Sequence, residues 1–425
     1  MVVLRELKIT LAAAIAALAV VVDTGAQPPA ITTLMVNGRS NATPSIAADG
    51  EFVVVAFGAT TAEGATDVFT SVSRDGARTF QSPIRVNDVA GDARLNGEQP
   101  PRVALVHRSA DDPAITIVWT TKGKNGTKLV SARSADGGRS YAAATTVRDS
   151  DAAGNRGWEN VAATSSGDVL SIWLDHREMA NHSMGSAPSH DHAGAPQMDG
   201  AAMAQQSKLF IGTLDGLVAP HAVTGGVCYC CKTAIVATNN GGIAAAWRHV
   251  YPGNFRDIAF TISTDGGRSF APPLRISEDK WMLDGCPDDG PALAIDARNT
   301  IHVVWPTLVT GDKTGEPTIA IFYAQSSDGR TFTARRRVPT QSVAHHPQIV
   351  VDARGTPVIA WDESGNGVRR VVGAVAGPTF TRFVVNDSGG VYPALARTGQ
   401  NIAAVWTLSR PTGSVVQTAI VSLHQ

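Results

Sequence analysis

A short strand, a Gly- or Asn-containing turn and a second strand ending in an aromatic residue recur along this chain. Pro44-Ser45-Ile46-Ala47 leads to Val53-Val54-Val55-Ala56-Phe57, and Pro101-Arg102-Val103-Ala104 leads to Ile115-Thr116-Ile117-Val118-Trp119. Asn160-Val161-Ala162 precedes Val169-Leu170-Ser171-Ile172-Trp173, and Thr233-Ala234-Ile235 precedes Ala244-Ala245-Ala246-Trp247. Three further pairs end at Trp305, Trp361 and Trp406. A second hairpin follows most of them, clearest where Ile258-Ala259-Phe260-Thr261-Ile262 turns back into Pro273-Leu274-Arg275-Ile276.

Four strands in each unit of about 45 to 75 residues is the period of a propeller blade. An isolated blade leaves both faces uncovered, and radial stacking buries them while leaving only short edges. The expected fold is therefore all-β, a propeller of four-stranded blades, seven by this reading and six if one weak unit merges with its neighbour. The last unit lacks a fourth strand. Ile31-Thr32-Thr33-Leu34-Met35-Val36-Asn37 resembles the outer strand Pro83-Ile84-Arg85-Val86-Asn87, so the N-terminal strand is expected to complete the last blade and close the ring.

The first residues fall outside this pattern. Arg5 and Lys8 precede the apolar run Leu11 to Val22, and Thr24-Gly25-Ala26 supplies small residues before Gln27. These are the parts of a cleavable secretory leader, and the run is shorter than the ~20 residues of a spanning helix. The chain divides into a leader, 1–26, and one propeller domain, 27–425, expected in the periplasm or outside the cell without stable membrane insertion after cleavage. Formal net charge is −1, which gives no footprint for nucleic acid. A monomer is expected.

The turn of the second hairpin carries a motif. Ser263-Thr264-Asp265-Gly266-Gly267-Arg268-Ser269-Phe270 and Ser134-Ala135-Asp136-Gly137-Gly138-Arg139-Ser140-Tyr141 match Ser-x-Asp-x-Gly-x-Thr-aromatic. Ser73 to Phe80 has Ala77 in place of the second Gly, and Ser326 to Phe332 is one residue short. By these four boxes the chain resembles the sialidase-like, Asp-box (BNR-repeat) propeller superfamily. The Asp and Gly residues perform turn chemistry, and the resemblance implies that the boxes lie away from the ligand face. It also implies an arginine triad, a Tyr–Glu nucleophile pair and an Asp acid/base. The Arg-Ile-Pro signature of such sialidases is missing here. Tyr251 is the candidate nucleophile, with Arg248, Arg256 and Arg177 as sources of positive charge, in a sialidase or other glycoside hydrolase.

The unusual residues converge on the opposite rim, where the loops joining second to third strands meet the links between blades. They are Cys228-Tyr229-Cys230-Cys231, the Asp284 and Cys286 link, His345-His346, the Arg248 to Asp257 hairpin with His249, and an insertion from 175 to 206. Arg177, His249, Asp257, Asp284, His345 and His346 are candidate ligand-binding residues. The insertion carries His182, Met184, His190, His192, Met198 and Met203. Imidazole with thioether suits copper, above all Cu(I), better than zinc, and no nucleotide or organic cofactor is indicated.

All four cysteines lie after the leader, where disulfides are expected. Neighbouring cysteines reach disulfide geometry with difficulty. Two arrangements stay open: a Cys286 bridge plus a vicinal disulfide, or thiolates forming a metal or redox site. The leading expectation is a ligand-binding, copper-associated propeller acting through this rim on a small molecule, glycan or metal. A glycoside hydrolase and a non-catalytic propeller recognising a glycan or protein are the alternatives.

Overall fold

The second strand of each repeat is apolar on both faces, so no single sheet can satisfy it. Val53, Val54, Val55, Ala56 and Phe57 have no exposed surface, and Ala244 to Trp247 are equally buried. A computed structural model describes residues 30–109, 112–181, 200–283, 285, 287–310 and 315–421. Among the described residues the strands form seven four-stranded antiparallel sheets, each a blade. Blade 4 is representative: Ala234–Ala237 innermost, then Ile243–Tyr251, Phe255–Ser263 and the two-residue outer strand Leu274–Arg275. Outer strands this short leave little open edge for pairing with another chain.

The repeated aromatic wedges each blade against the one before it. Trp247 packs on Leu170, Ile172, Leu209 and Ile211 of blade 3. Trp305 meets Ala244, Ala246 and Phe260 of blade 4, and Trp361 meets Val304 and Ile321 of blade 5. All six of these tryptophans that end a second strand, with Phe57 in blade 1, are fully buried.

Closure follows the sequence expectation. The strand Ile31–Leu34 pairs with Gly413–Val421 from Ile31 opposite Ala419 to Leu34 opposite Val416, and becomes the outer strand of blade 7. No helix among the described residues is long and apolar enough to cross a membrane.

The Asp boxes are built as turns. Asp265 accepts hydrogen bonds from the backbone N–H groups of Arg268 (3.0 Å) and Ser269 (2.9 Å), while the Ser263 hydroxyl donates to Asp265 and accepts from Gly267 N–H. Ala77 stands where two other boxes have Gly and still takes φ of 70°. All four boxes join third to fourth strands, on the face opposite the cysteines.

Candidate functional site

Four innermost strands break register before they enter the blade. The breaks fall between Ala42 and Ser45, Gly157 and Asn160, His345 and Gln348, and Val391 and Ala394. Each holds a non-glycine residue in the left-handed region: Thr43 (55°), Trp158 (51°), His346 (53°) and Tyr392 (52°). These four are equivalent. Each lies two positions before the residue that pairs with the neighbour of the blade aromatic. Lys232 and Gly290 hold that place in blades 4 and 5. Bulges re-aim side chains, and strained φ of this kind persists only where the surroundings over-determine it.

The ring is tied together across the molecule. Glu98, in the link from blade 1 to blade 2, accepts hydrogen bonds from Lys232 N–H (3.1 Å), Gly290 N–H (2.9 Å) and the Lys232 ammonium (3.2 Å). Asp289 accepts from His346 N–H (3.0 Å) and pairs with His345 Nδ1 (2.8 Å). His346 Nδ1 meets Asp362 at 2.7 Å, and its ring lies 4.1 Å from that of Tyr392. Glu98, Asp289 and His346 bring three donor atoms within 4.8 Å of one another. Lys232 already supplies the cation there, so the cluster reads as an internal ion-pair network.

Burial disfavours the His346 imidazolium, but the hydrogen bond and charge of Asp362, with Asp289 and Glu98 behind it, outweigh burial and lift its pKa to about 9. A group raised above its unfolded value of about 6.5 stabilises fully below that pH and loses its contribution as pH rises through the folded value. Stability measured by urea unfolding is therefore expected to fall between about pH 6.5 and 9. His346→Gln should flatten that fall. An unchanged slope in the variant would sink the assignment.

The cysteines sit beside this network, between the outer strand of blade 3, His221–Gly225, and the innermost strand of blade 4. Cys228 N–H bonds to Arg248 O (2.9 Å), so the turn is stitched to the second strand of blade 4. The sulfurs form a triangle: 3.8 Å from Cys228 to Cys230, 4.0 Å from Cys230 to Cys231 and 3.7 Å from Cys231 to Cys228. Cys228 and Cys231 are free thiols, so the vicinal Cys230–Cys231 disulfide is not formed. Burial opposes ionisation of Cys228. A hydrogen bond from the Cys231 thiol and the charges of Arg256 and Arg248 outweigh it and bring its pKa to about 6. Burial and the neighbouring Cys228 push Cys231 well up. The short helix Gly200–Gln206, the last part of the insertion, contributes Ala201 and Ala204 to the same cluster, together with Val250, Trp158 and Tyr229. The insertion and the cysteines, far apart in sequence, are packed against each other.

A cavity of about 600 Å³ opens on this face, lined among others by Arg94, Asn96, Gln99, Asn155, Arg156 and Trp158. Trp158 touches both the cavity and the cysteine cluster.

No protein-family model matches the chain, and no curated protein does. Solved structures do. A protein of unknown function from Dyadobacter fermentans is 15% identical with a TM-score of 0.50, over 92% of this chain and 97% of that one. An alpha-L-arabinofuranosidase of Fusarium graminearum, in complex with arabinobiose, is 11% identical with a TM-score of 0.52, over 93% and 98%. An alpha-L-arabinanase of Penicillium chrysogenum, also with arabinobiose, is 12% identical at 0.50, over 93% and 99%. The likeness is one of fold. It agrees with the propeller that the repeats imply.

Several residues stand differently from the sequence expectation. Arg248 and Arg256 are 1% and 0% exposed. Arg248 donates to the carbonyls of Asp289, Arg256 and Pro306, beneath the Trp281 ring. Arg256 donates to Leu283 O and, at 3.0 Å, to Cys228 Sγ. These guanidiniums brace backbone and thiol instead of facing a substrate carboxylate. The Tyr251 hydroxyl is buried with no hydrogen-bond partner among the described residues, and no described Glu pairs with it. Burial pushes its pKa up to about 12. Asp257 is paired with Arg275, and Arg177 with Asp175. His249 lies edge-on to Tyr251 at 4.7 Å. His345 and His346 belong to the innermost strand Val343–Val351, not to the link before it, because the bulge extends that strand. Met203 lies in the short helix. Asp284, Cys286, His182, Met184, His190, His192 and Met198 lie outside the described residues. Sequence reading missed Glu98, Lys232, Asp289, Arg156 and Trp158. Aligning the repeats on the blade aromatic would have singled out Trp158 and Lys232 by their shared offset.

Proposed function

We propose that this is an extracytoplasmic propeller that holds a soft metal ion, copper(I) first, through the free thiols Cys228 and Cys231. One observation carries the reading: the two free sulfurs lie 3.7 Å apart. Metal–sulfur bonds of about 2.3 Å place ligand sulfurs roughly 3.8 Å apart around a tetrahedral ion and 4.0 Å around a trigonal one. Soft thiolates select Cu(I).

Cys228 and Cys231 would hold the ion, and the ion would supply a soft, thiolate-bound charge at the rim. Arg256 offsets the excess negative charge of a thiolate set, because its guanidinium already donates to Cys228. Cys230 is disulfide-bonded in this structure, so its sulfur stands beside the two thiol ligands and is not counted as a third. The leader-like residues 1–26 support the compartment, and the His and Met residues of the insertion support a soft ion.

Protein purified anaerobically from the periplasm and incubated with excess Cu(I) should retain about one copper per chain in the presence of a competing chelator. Cys228→Ser and Cys231→Ser should each cut that occupancy to about a tenth or less. Substoichiometric copper and zinc, unchanged by either substitution, would overturn the reading.

A second reading rests on the cavity. Its size suits a small molecule, and its amide, arginine and indole groups suit a hydroxyl-rich ligand such as a glycan. The two arabinobiose-bound neighbours support it, as a recognition or hydrolase propeller. Calorimetry against an oligosaccharide panel tests it, and a binding signal indifferent to Trp158→Ala would remove it.

A further inference from the structure

Cys228 and Cys231 stand in Cys-x-x-Cys spacing, are both free, and bring their sulfurs to 3.7 Å, the shortest side of the triangle. Their roles are unequal. Cys231 donates its thiol hydrogen to Cys228 Sγ, and Cys228 also receives Arg256 Nη1 at 3.0 Å. One sulfur is thus held as the electron-rich partner and the other carries the proton. Closing a disulfide requires the sulfurs to approach to about 2.05 Å. These residues lie in a turn outside the regular strands, where side-chain rotation and a small turn adjustment make up the difference.

Burial decides what can reach them. Cys228 is 0% exposed and Cys231 2%, under Tyr229, Trp158 and the helix Gly200–Gln206. A disulfide carried by another protein is too large to reach sulfurs buried to this degree, whereas hydrogen peroxide is close to water in size and uncharged.

We propose that Cys228 and Cys231 form a peroxide-sensitive dithiol, whose oxidation to a disulfide removes two ligands and so releases the metal. The first part stands on the thiols alone, and the release rests on the metal reading above. In the first step the Cys228 sulfur attacks one oxygen of hydrogen peroxide. The O–O bond breaks, Cys228 becomes a sulfenic acid, and the departing hydroxide is protonated to water. The Cys231 sulfur then attacks Cys228 Sγ, the S–O bond breaks, and the hydroxyl leaves with the Cys231 proton as a second water. Two thiols are oxidised by two electrons and one peroxide is reduced to two waters, the ordinary route from sulfenic acid to disulfide.

The test starts with reduced, metal-free, full-length protein carrying Cys230→Ser, so that the tryptic peptide Leu209 to Lys232 keeps only these two sulfurs. After hydrogen peroxide, mass spectrometry should find this peptide lighter by two hydrogens, with the loss spanning 228 to 231. Cys231→Ser in the same background should stop the disulfide and leave a dimedone-reactive sulfenic acid on Cys228. Cys231→Ala, checked by circular dichroism, gives the same readout if the serine disturbs folding. Two thiols that stay reduced in the folded protein, while urea-unfolded protein reacts, would overturn the proposal. So would oxidation of Cys228 straight to sulfinic acid with Cys231 present. Copper loading of reduced and oxidised wild-type protein gives the second arm, with occupancy expected to drop to about a tenth on oxidation. A disulfide with no copper bound in either state refutes the metal reading and leaves the dithiol standing. Copper binding with no disulfide does the reverse.

Discussion

Lys232→Met should lower the free energy of unfolding by about 3–5 kcal/mol. The lysine ammonium is buried against Glu98, with side-chain exposures of 4% and 1%. It also donates to Pro347 O at 3.3 Å. Methionine fills similar volume, so the loss measures charge rather than packing. Its size comes from leaving Glu98 ionised and buried with only two backbone N–H donors. Denaturant unfolding followed by tryptophan fluorescence reads the change, provided the slope against denaturant stays constant. The double variant Glu98→Gln/Lys232→Met should recover about 1–3 kcal/mol of the loss by removing the stranded charge. A single-variant loss below about 1 kcal/mol would mean the pair behaves as a solvated one.

The second large effect belongs to the wedge. Trp247→Ala should cost about 3–5 kcal/mol, the range for truncating a fully buried large side chain. The indole has no exposed surface and packs against Leu170, Ile172, Leu209 and Ile211 of the preceding blade. The cavity would open between two blades, where neither sheet can collapse inward without breaking its own ladder. Trp247→Phe should recover part of the loss. A Trp247→Ala protein as stable as the parent would show that the aromatic is not what locks blade to blade.

Much of this architecture is legible in the residues because each blade repeats it. Local turn chemistry fixes the Asp boxes, and one apolar period fixes the strand pairs. Even the closing strand, Ile31–Leu34, can be matched to another outer strand by sequence. The site is less legible because it is assembled where the repeats differ. Glu98 and Lys232 meet across the mouth of the ring, and nothing in either neighbourhood announces the other. Arg248 and Arg256 look like surface charge in a hairpin. Both faces of a blade are covered, however, so alternation along the strand does not send either one to solvent. The cysteines are hard for a different reason. Their closeness in sequence argues against easy bridges, yet the turn folds Cys228 back to within 3.7 Å of Cys231.

The molecule has a division of labour between its faces. One carries the repeated Asp-box turns, each held by its own Asp and Ser side chains. The other carries the bulged ring, the cysteine triangle and the cavity, all built from residues that do not repeat. On the second face Thr43, Trp158, His346 and Tyr392 all hold a left-handed backbone at the same place in their blades.

The way the ring is closed also sets a rule for how the chain can be made. Ile31 pairs with Ala419, so during synthesis the strand Ile31–Leu34 must wait for Gly413–Val421 before it finds its partner. Until then Gly413–Val421 has no outer neighbour, and the Ile31–Leu34 segment has no sheet to join. The entropy of joining such distant ends grows only slowly with their separation, so the toll falls on timing more than on final stability. A nascent or truncated chain carries an open strand edge of the kind that recruits other chains. Making Gly413–Val421 is thereby what lets the ring close: a chain stopped before it leaves Ile31–Leu34 without a sheet.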